Sequence, residues 1–171
     1  MIILLTGGSG CGKSTYAERI VAAMPKEKRV YVATMRVYDE ESVRRVERHR
    51  AQRADKGFIT IECEKDLSSA WMEDGCVVLL EDLVNLVANE MFDGGDTARI
   101  IPALDDLAAR CCHLVMVTND VFSDGEAYSE STQEYLRVLA KVNAHAAKLA
   151  DCVAEIVYSI PVLLKGELPC V

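Results

Sequence analysis

Basic residues are in short supply in this chain. Its 19 lysines and arginines face 27 aspartates and glutamates, a formal net charge of -8 over 171 residues. A nucleic-acid binder is usually basic as a whole or along one face, so this balance excludes nucleic acid as the expected partner. Long apolar runs are missing too; none approaches the roughly 18 residues of a membrane span. The N-terminal residues have no basic region and no cleavage site, so no secretory leader is expected. The seven cysteines (Cys11, Cys63, Cys76, Cys111, Cys112, Cys152 and Cys170) form no CxxC pair. Their odd number reads as buried thiols in a reducing compartment rather than a disulfide framework or a metal site. Repeats, linkers and low-complexity blocks are absent. A cytoplasmic protein is expected, and 171 residues, half of them hydrophobic, suffice for a single α/β domain spanning 1–171.

Short β-branched runs alternate with longer helical patterns. Strands are expected at 1–6, 29–34, 58–62, 76–81, 113–118 and 153–158. Several, such as "CVVLL" and "HLVMVT", are near-continuously apolar, as parallel strands buried on both faces are. Helices are expected at 13–24, 39–53, 82–92, 98–111 and 129–150, with Pro25 ending the first and "DGGD" at 93–96 separating two others. The alternation predicts a three-layer α/β/α fold around a mostly parallel sheet.

The first strand runs into "GGSGCGKS", which satisfies G-x-x-x-x-G-K-[ST] in full. Gly7, Gly8, Ser9, Gly10, Cys11 and Gly12 let backbone N–H groups turn toward phosphate oxygens, and the following helix N-terminus adds a favourable partial charge. Lys13 is expected to reach the β- and γ-phosphates of a nucleoside triphosphate, and Ser14 to ligate Mg2+. An acid near that metal is expected from Glu81 or Asp82, which end the buried strand "VVLLE". A second polar strand end, Asn119 and Asp120 in "LVMVTND", is a weaker candidate.

Residues 43–53, "VRRVERHRAQR", place five arginines and a histidine in eleven positions of an acidic chain. On a helix, Arg45, His49 and Arg53 share a face. Guanidinium forks match phosphate oxygens, and a neutral imidazole can attack phosphorus. By spacing alone, a solvated helix face paired with carboxylates fits equally well.

The order of motifs resembles one family nearly end to end. "LLTGGSGCGKS" is followed by "VYVAT", then by "RVERHRAQR", similar to Arg-Ile-x-x-His-Arg-x-x-Arg. Then come "ITIE" ending at Glu62, "VVLLEDLVNLVANEMF", "VMVTNDV", "KVNAHAAKLAD" and "EIVYSIPVLLKG". These are similar to the bifunctional adenosylcobinamide kinase / adenosylcobinamide-phosphate guanylyltransferase family of cobalamin biosynthesis. The resemblance implies a RecA-like P-loop fold and two reactions. A nucleoside triphosphate, ATP or GTP, phosphorylates adenosylcobinamide; GMP from GTP then joins the product through a GMP–histidine intermediate, with His49 as the covalent residue. It implies nucleotide contacts from Gly7 to Ser14, from Ala33, Thr34 and Met35, from Arg50, Ala51, Gln52 and Arg53, and from Glu62 and Glu81. It also implies a homotrimer with the active site near a subunit boundary. The chain departs from the family pattern between 121 and 144. Phe122 stands for a glycine, Gln133, Leu136 and Arg137 for Arg, Arg and Asp, and Ala140 and Ala144 for Gly and Gln, while Asn143 is kept.

Two other readings remain open on the residues: a P-loop small-molecule kinase without guanylyl transfer, and a nucleotide-dependent regulatory or assembly ATPase. The lack of Asn-Lys-x-Asp disfavours a guanine-nucleotide switch, and the acidic charge disfavours an assembly ATPase with DNA-binding loops.

Overall fold

The buried strand β1 (Ile2–Thr6) lies inside a seven-stranded sheet of order β3-β2-β4-β5-β1-β6-β7. The other strands are β2 (Arg29–Ala33), β3 (Phe58–Glu62), β4 (Val77–Glu81), β5 (His113–Val117), β6 (Cys152–Val157) and β7 (Ile160–Lys165). All neighbours pair in parallel except β6 and β7, which form an antiparallel hairpin. The computed structural model describes residues 1–25, 28–37, 40–121 and 128–169, without the side chains of residues 41, 42, 45, 48, 49 and 52.

Side chains alternate across the pleat and fill two cores. Ile3, Leu5, Leu79, Val115 and Ala154 face α1 (Lys13–Ala23), which buries Tyr16, Ala17, Ile20 and Val21. Leu4, Val32, Leu80, Met116 and Val153 face the other way. There they meet Leu83 and Leu86 of α3 (Leu83–Phe92), Leu104 of α4 (Ile100–Arg110) and Leu139 and Val142 of α5 (Glu130–Leu149). The result is the expected three-layer α/β/α arrangement. A further helix, α2 (Glu40–Arg53), is strongly polar and, among the described residues, packs only slightly on the other elements.

Element boundaries fall within two residues of expectation, with two informative differences. The helix expected from residue 98 starts as a 3-10 turn, Thr97–Arg99, in which the Ala98 N–H donates to the Asp96 carboxylate (Ala98 N to Asp96 Oδ1, 2.9 Å). And β7 was not expected: "IPVLLK" contains a proline and does not alternate, features tolerated on an edge strand. No helix of the described residues is long and apolar enough to cross a membrane.

Candidate functional site

The glycine-rich loop is tied to the ends of the two strands that flank β1. Asp120 N donates to Gly7 O (3.2 Å) at the end of β5, and Ser159 N donates to Cys11 O (2.8 Å) from the β6–β7 turn. Glycine is required at two points. Gly7 has φ 142°, and a Cβ there would lie 2.5 Å from the Ile156 carbonyl oxygen. Gly12 has φ 98°, and a Cβ there would lie 2.4 Å from Ser159 Oγ. Gly12 also occupies the N-cap of α1, so no side chain caps the helix. The first N–H groups of α1 therefore keep their capacity for an anion. Gly8, Ser9 and Gly10 are exposed around this point.

Lys13 is buried, at 7 % exposure, and its Nζ donates to the Gly8 carbonyl at 2.9 Å. An ammonium sealed in with a neutral carbonyl is a cation prepared for an incoming phosphate. Beside it, the Ser14 hydroxyl donates to Glu81 Oε1. The sheet order puts β5 between β1 and β4, and α1 bridges the gap by lying across β4 and β5. Burial raises the Glu81 carboxyl to about 7, and the charges of Asp82 and Glu18 add to this; the Ser14 hydroxyl and the Tyr31 phenol act in the opposite direction. Glu81 Oε2 is sealed from solvent without a hydrogen-bond partner among the described residues. A hydroxyl bonded to one oxygen of a carboxylate whose other oxygen has no hydrogen-bond partner among the described residues, next to a phosphate loop, fits a hard divalent cation such as Mg2+.

The other expected residues divide into those lining a pocket and those engaged elsewhere. Asp82 caps α3 through its Oδ1, which accepts from Asn85 N at 2.7 Å and Asn85 Nδ2 at 3.0 Å. Thr34 is fully buried; its hydroxyl donates to Asp82 O (2.8 Å) and accepts from Asp82 N (2.7 Å), latching β2 to β4. Ala33, Met35, Arg53, Glu62, Glu81 and Asp82 line one pocket at the strand ends. Arg50 and Ala51 are exposed on α2, and Arg50 Nη2 pairs with Glu62 Oε1 at 2.7 Å. His49 sits in α2 one turn before Arg53; its side chain, like that of Gln52, lies outside the described part. Asn119 Oδ1 is buried without a partner among the described residues.

Three residues of this region escape a reading of the sequence. Tyr31 and Asn85 line the same pocket. Glu18 is 1 % exposed on α1 and pairs with Lys56 from the turn after α2. Tyr31, a polar-tipped aromatic inside the apolar "VYVA", carried the only visible signal; an acid in a helical stretch reads as solvated.

Fold and site together define a P-loop protein of the α/β class. A family model for cobinamide kinase / cobinamide phosphate guanyltransferase matches residues 3–164. The chain belongs to that family. It is similar to the bifunctional adenosylcobalamin biosynthesis protein CobU of Salmonella typhimurium, at 30% identity over 96% of this chain and 100% of that protein. The protein of the same name from Escherichia coli matches at the same identity and coverage. Among solved structures, the flagellar accessory protein FlaH of Methanocaldococcus jannaschii superposes with TM-score 0.54 at 12% identity, covering 96% of this chain and 78% of that one. A Pyrococcus horikoshii protein, PH0250, gives TM-score 0.55 at 12% identity, over 96% and 86% of the two chains. At that identity the two structures speak for the fold alone.

Proposed function

We propose that this protein phosphorylates adenosylcobinamide with a nucleoside triphosphate and then transfers GMP from GTP to the product, giving adenosylcobinamide-GDP. The observation that carries the reading is the joining of two features in one crevice. The phosphate loop, with Lys13 and the Ser14–Glu81 pair, abuts a pocket bordered by Arg53 at the C-terminal end of α2.

In the first reaction the loop N–H groups, the N-terminus of α1 and Lys13 hold the β- and γ-phosphates. The substrate hydroxyl oxygen bonds to the γ-phosphorus, the bridge to the β-phosphate breaks with the nucleoside diphosphate as leaving group, and the hydroxyl proton passes to solvent water. Ser14 and Glu81 would hold a Mg2+ ion, which when bound would neutralise charge on those phosphates. In the second reaction an imidazole nitrogen of His49 bonds to the α-phosphorus of GTP and pyrophosphate departs. The phosphate of adenosylcobinamide phosphate then displaces the histidine. Arg50 and Arg53, on the same helix, balance charge on the transferring group. By family likeness the enzyme works as a homotrimer.

Incubation with α-labelled GTP tests this reading. An acid-labile, base-stable label on the protein is expected, and it disappears in His49→Ala. An unlabelled wild type, or a label that persists in the variant, rejects the covalent role.

A further inference from the structure

Two opposite charges line the pocket beside the phosphate loop and do not pair. Arg53 is 5 % exposed, and its Nε and Nη1 have no hydrogen-bond partner among the described residues. Glu81 Oε2, lining the same pocket, is also without one. In a shielded site an ion pair between them would be strongly favoured over two isolated charges. The reason they stay apart is visible in what each touches. The guanidinium carbon of Arg53 lies 3.4 Å from the centroid of the Tyr31 ring, in cation–π contact. The Tyr31 phenol tip bears on Glu81 and favours its charged form. The ring itself cannot yield easily: Tyr31 is 5 % exposed, a residue of the parallel-paired strand β2, and braced edge-on by Phe58 with centroids 6.2 Å apart.

We propose that Tyr31 is a positioning residue that acts as a spacer, its ring holding Arg53 away from Glu81 so that the arginine stays free for an anion and the carboxylate for a cation. The inference rests on the reading of Ser14 and Glu81 as a Mg2+ site. It adds that the site stays competent because a third residue prevents self-neutralisation. Without the ring, the flexible arginine stem at the end of a lightly packed helix closes onto Glu81. One collapse then disables both the metal site and the anion site.

The experiment measures affinity for a non-hydrolysable GTP analogue by calorimetry, with and without Mg2+, so turnover plays no part. The readout is the factor by which Mg2+ strengthens binding. Tyr31→Leu is expected to shrink that factor about tenfold as Arg53 neutralises Glu81. Arg53→Met alone is expected to weaken analogue binding but leave the Mg2+ factor intact. Tyr31→Leu with Arg53→Met is expected to recover the factor, since the cation that lay on the ring is gone. A merely structural tyrosine would give additive losses, and a double variant no better than Tyr31→Leu overturns the proposal. Tyr31→Phe keeps the ring and is expected to retain most of the factor even if Tyr31→Leu proves too unstable to measure; a loss in Phe as large as removal of Glu81 produces would also overturn it. A wild type whose binding ignores Mg2+ sinks the metal reading and this inference together, whereas an intact wild-type factor without rescue sinks the spacer alone.

Discussion

The Ser14 hydroxyl donates to Glu81 Oε1, joining the N-terminal turn of α1 to the end of β4 although β5 lies between β4 and β1 in the sheet. This bond turns two sequence motifs 67 residues apart into one site. It also leaves the second carboxylate oxygen of Glu81 buried and without a hydrogen-bond partner among the described residues.

The buried carboxyl predicts a pH signature. Its folded pKa is raised to about 7 from 4.5, mainly by burial. The folded state therefore binds a proton more tightly than the unfolded one, and its contribution is fully present below pH 4.5. That contribution is lost as pH climbs through 7. Glu81→Gln removes the charge while its amide oxygen still accepts from Ser14. In the ligand-free protein the variant should gain stability over wild type between pH 5 and 7, reaching a plateau on the order of 1–3 kcal/mol above it. Thermal melts across pH check this; a gain that is flat with pH refutes the buried, raised carboxyl. In the same variant the Mg2+ dependence of nucleotide binding should vanish.

Lys13 makes a second prediction from the same loop. Its ammonium is buried against the Gly8 carbonyl, so removing it relieves burial as much as it loses a bond. Lys13→Ala should leave the melting temperature of the ligand-free protein nearly unchanged. It should weaken triphosphate binding by about 10- to 100-fold, the scale of a lost charge-assisted contact. Unchanged affinity by calorimetry contradicts the assignment.

The β6–β7 turn supports the loop from outside, and this too is testable. Gly12→Ala forces a Cβ against Ser159 Oγ at a φ of 98°. A loss on the order of 2 kcal/mol in stability is expected, together with impaired nucleotide binding. Ser159 itself has φ 64°, so Ser159→Gly alone should be neutral or slightly stabilising. Combined with Gly12→Ala it should recover part of the loss by clearing the contact. No recovery means backbone strain, not the clash, sets the cost.

Much of this was legible because strong local chemistry and global fold agree. "LLTGGSGCGKS" dictates strand, loop and helix at once, and "VVLLED" marks a buried strand that ends in acids beside that loop. What stayed hidden depends on partners distant in the chain. Asp82 looked equivalent to Glu81, yet its neighbour Asn85 commits it to capping α3. Thr34, a nucleotide contact by family resemblance, also spends its hydroxyl on the Asp82 backbone. Tyr31 gained meaning only when Arg53 came to rest on its ring. Edge strand β7 evaded the pattern because pairing with β6, not its own composition, makes it a strand.

The departures between 121 and 144 carry the last prediction. Phe122 lies outside the described residues, but the helical positions are visible. Gln133 Nε2 donates to the Tyr128 carbonyl at 3.0 Å, and Arg137 Nη1 pairs with Glu134 Oε2 at 2.8 Å on an exposed face. Leu136 and Ala144 offer no charge or amide at all. The kept Asn143 instead accepts from the Thr118 hydroxyl at 2.9 Å, holding α5 to the end of β5. In the proposed scheme the first reaction draws on Lys13, Ser14 and Glu81, none of which is bonded to the described side chains at these positions. If the α5 positions orient the phosphorylated substrate for the second, phosphorylation should outpace guanylyl transfer with adenosylcobinamide, by about tenfold or more for one lost charged contact. Separate rate measurements of the two steps decide it. Gln133→Arg should narrow the gap by raising the second rate alone. Comparable rates in the wild type reject the split and leave these positions without a role in transfer.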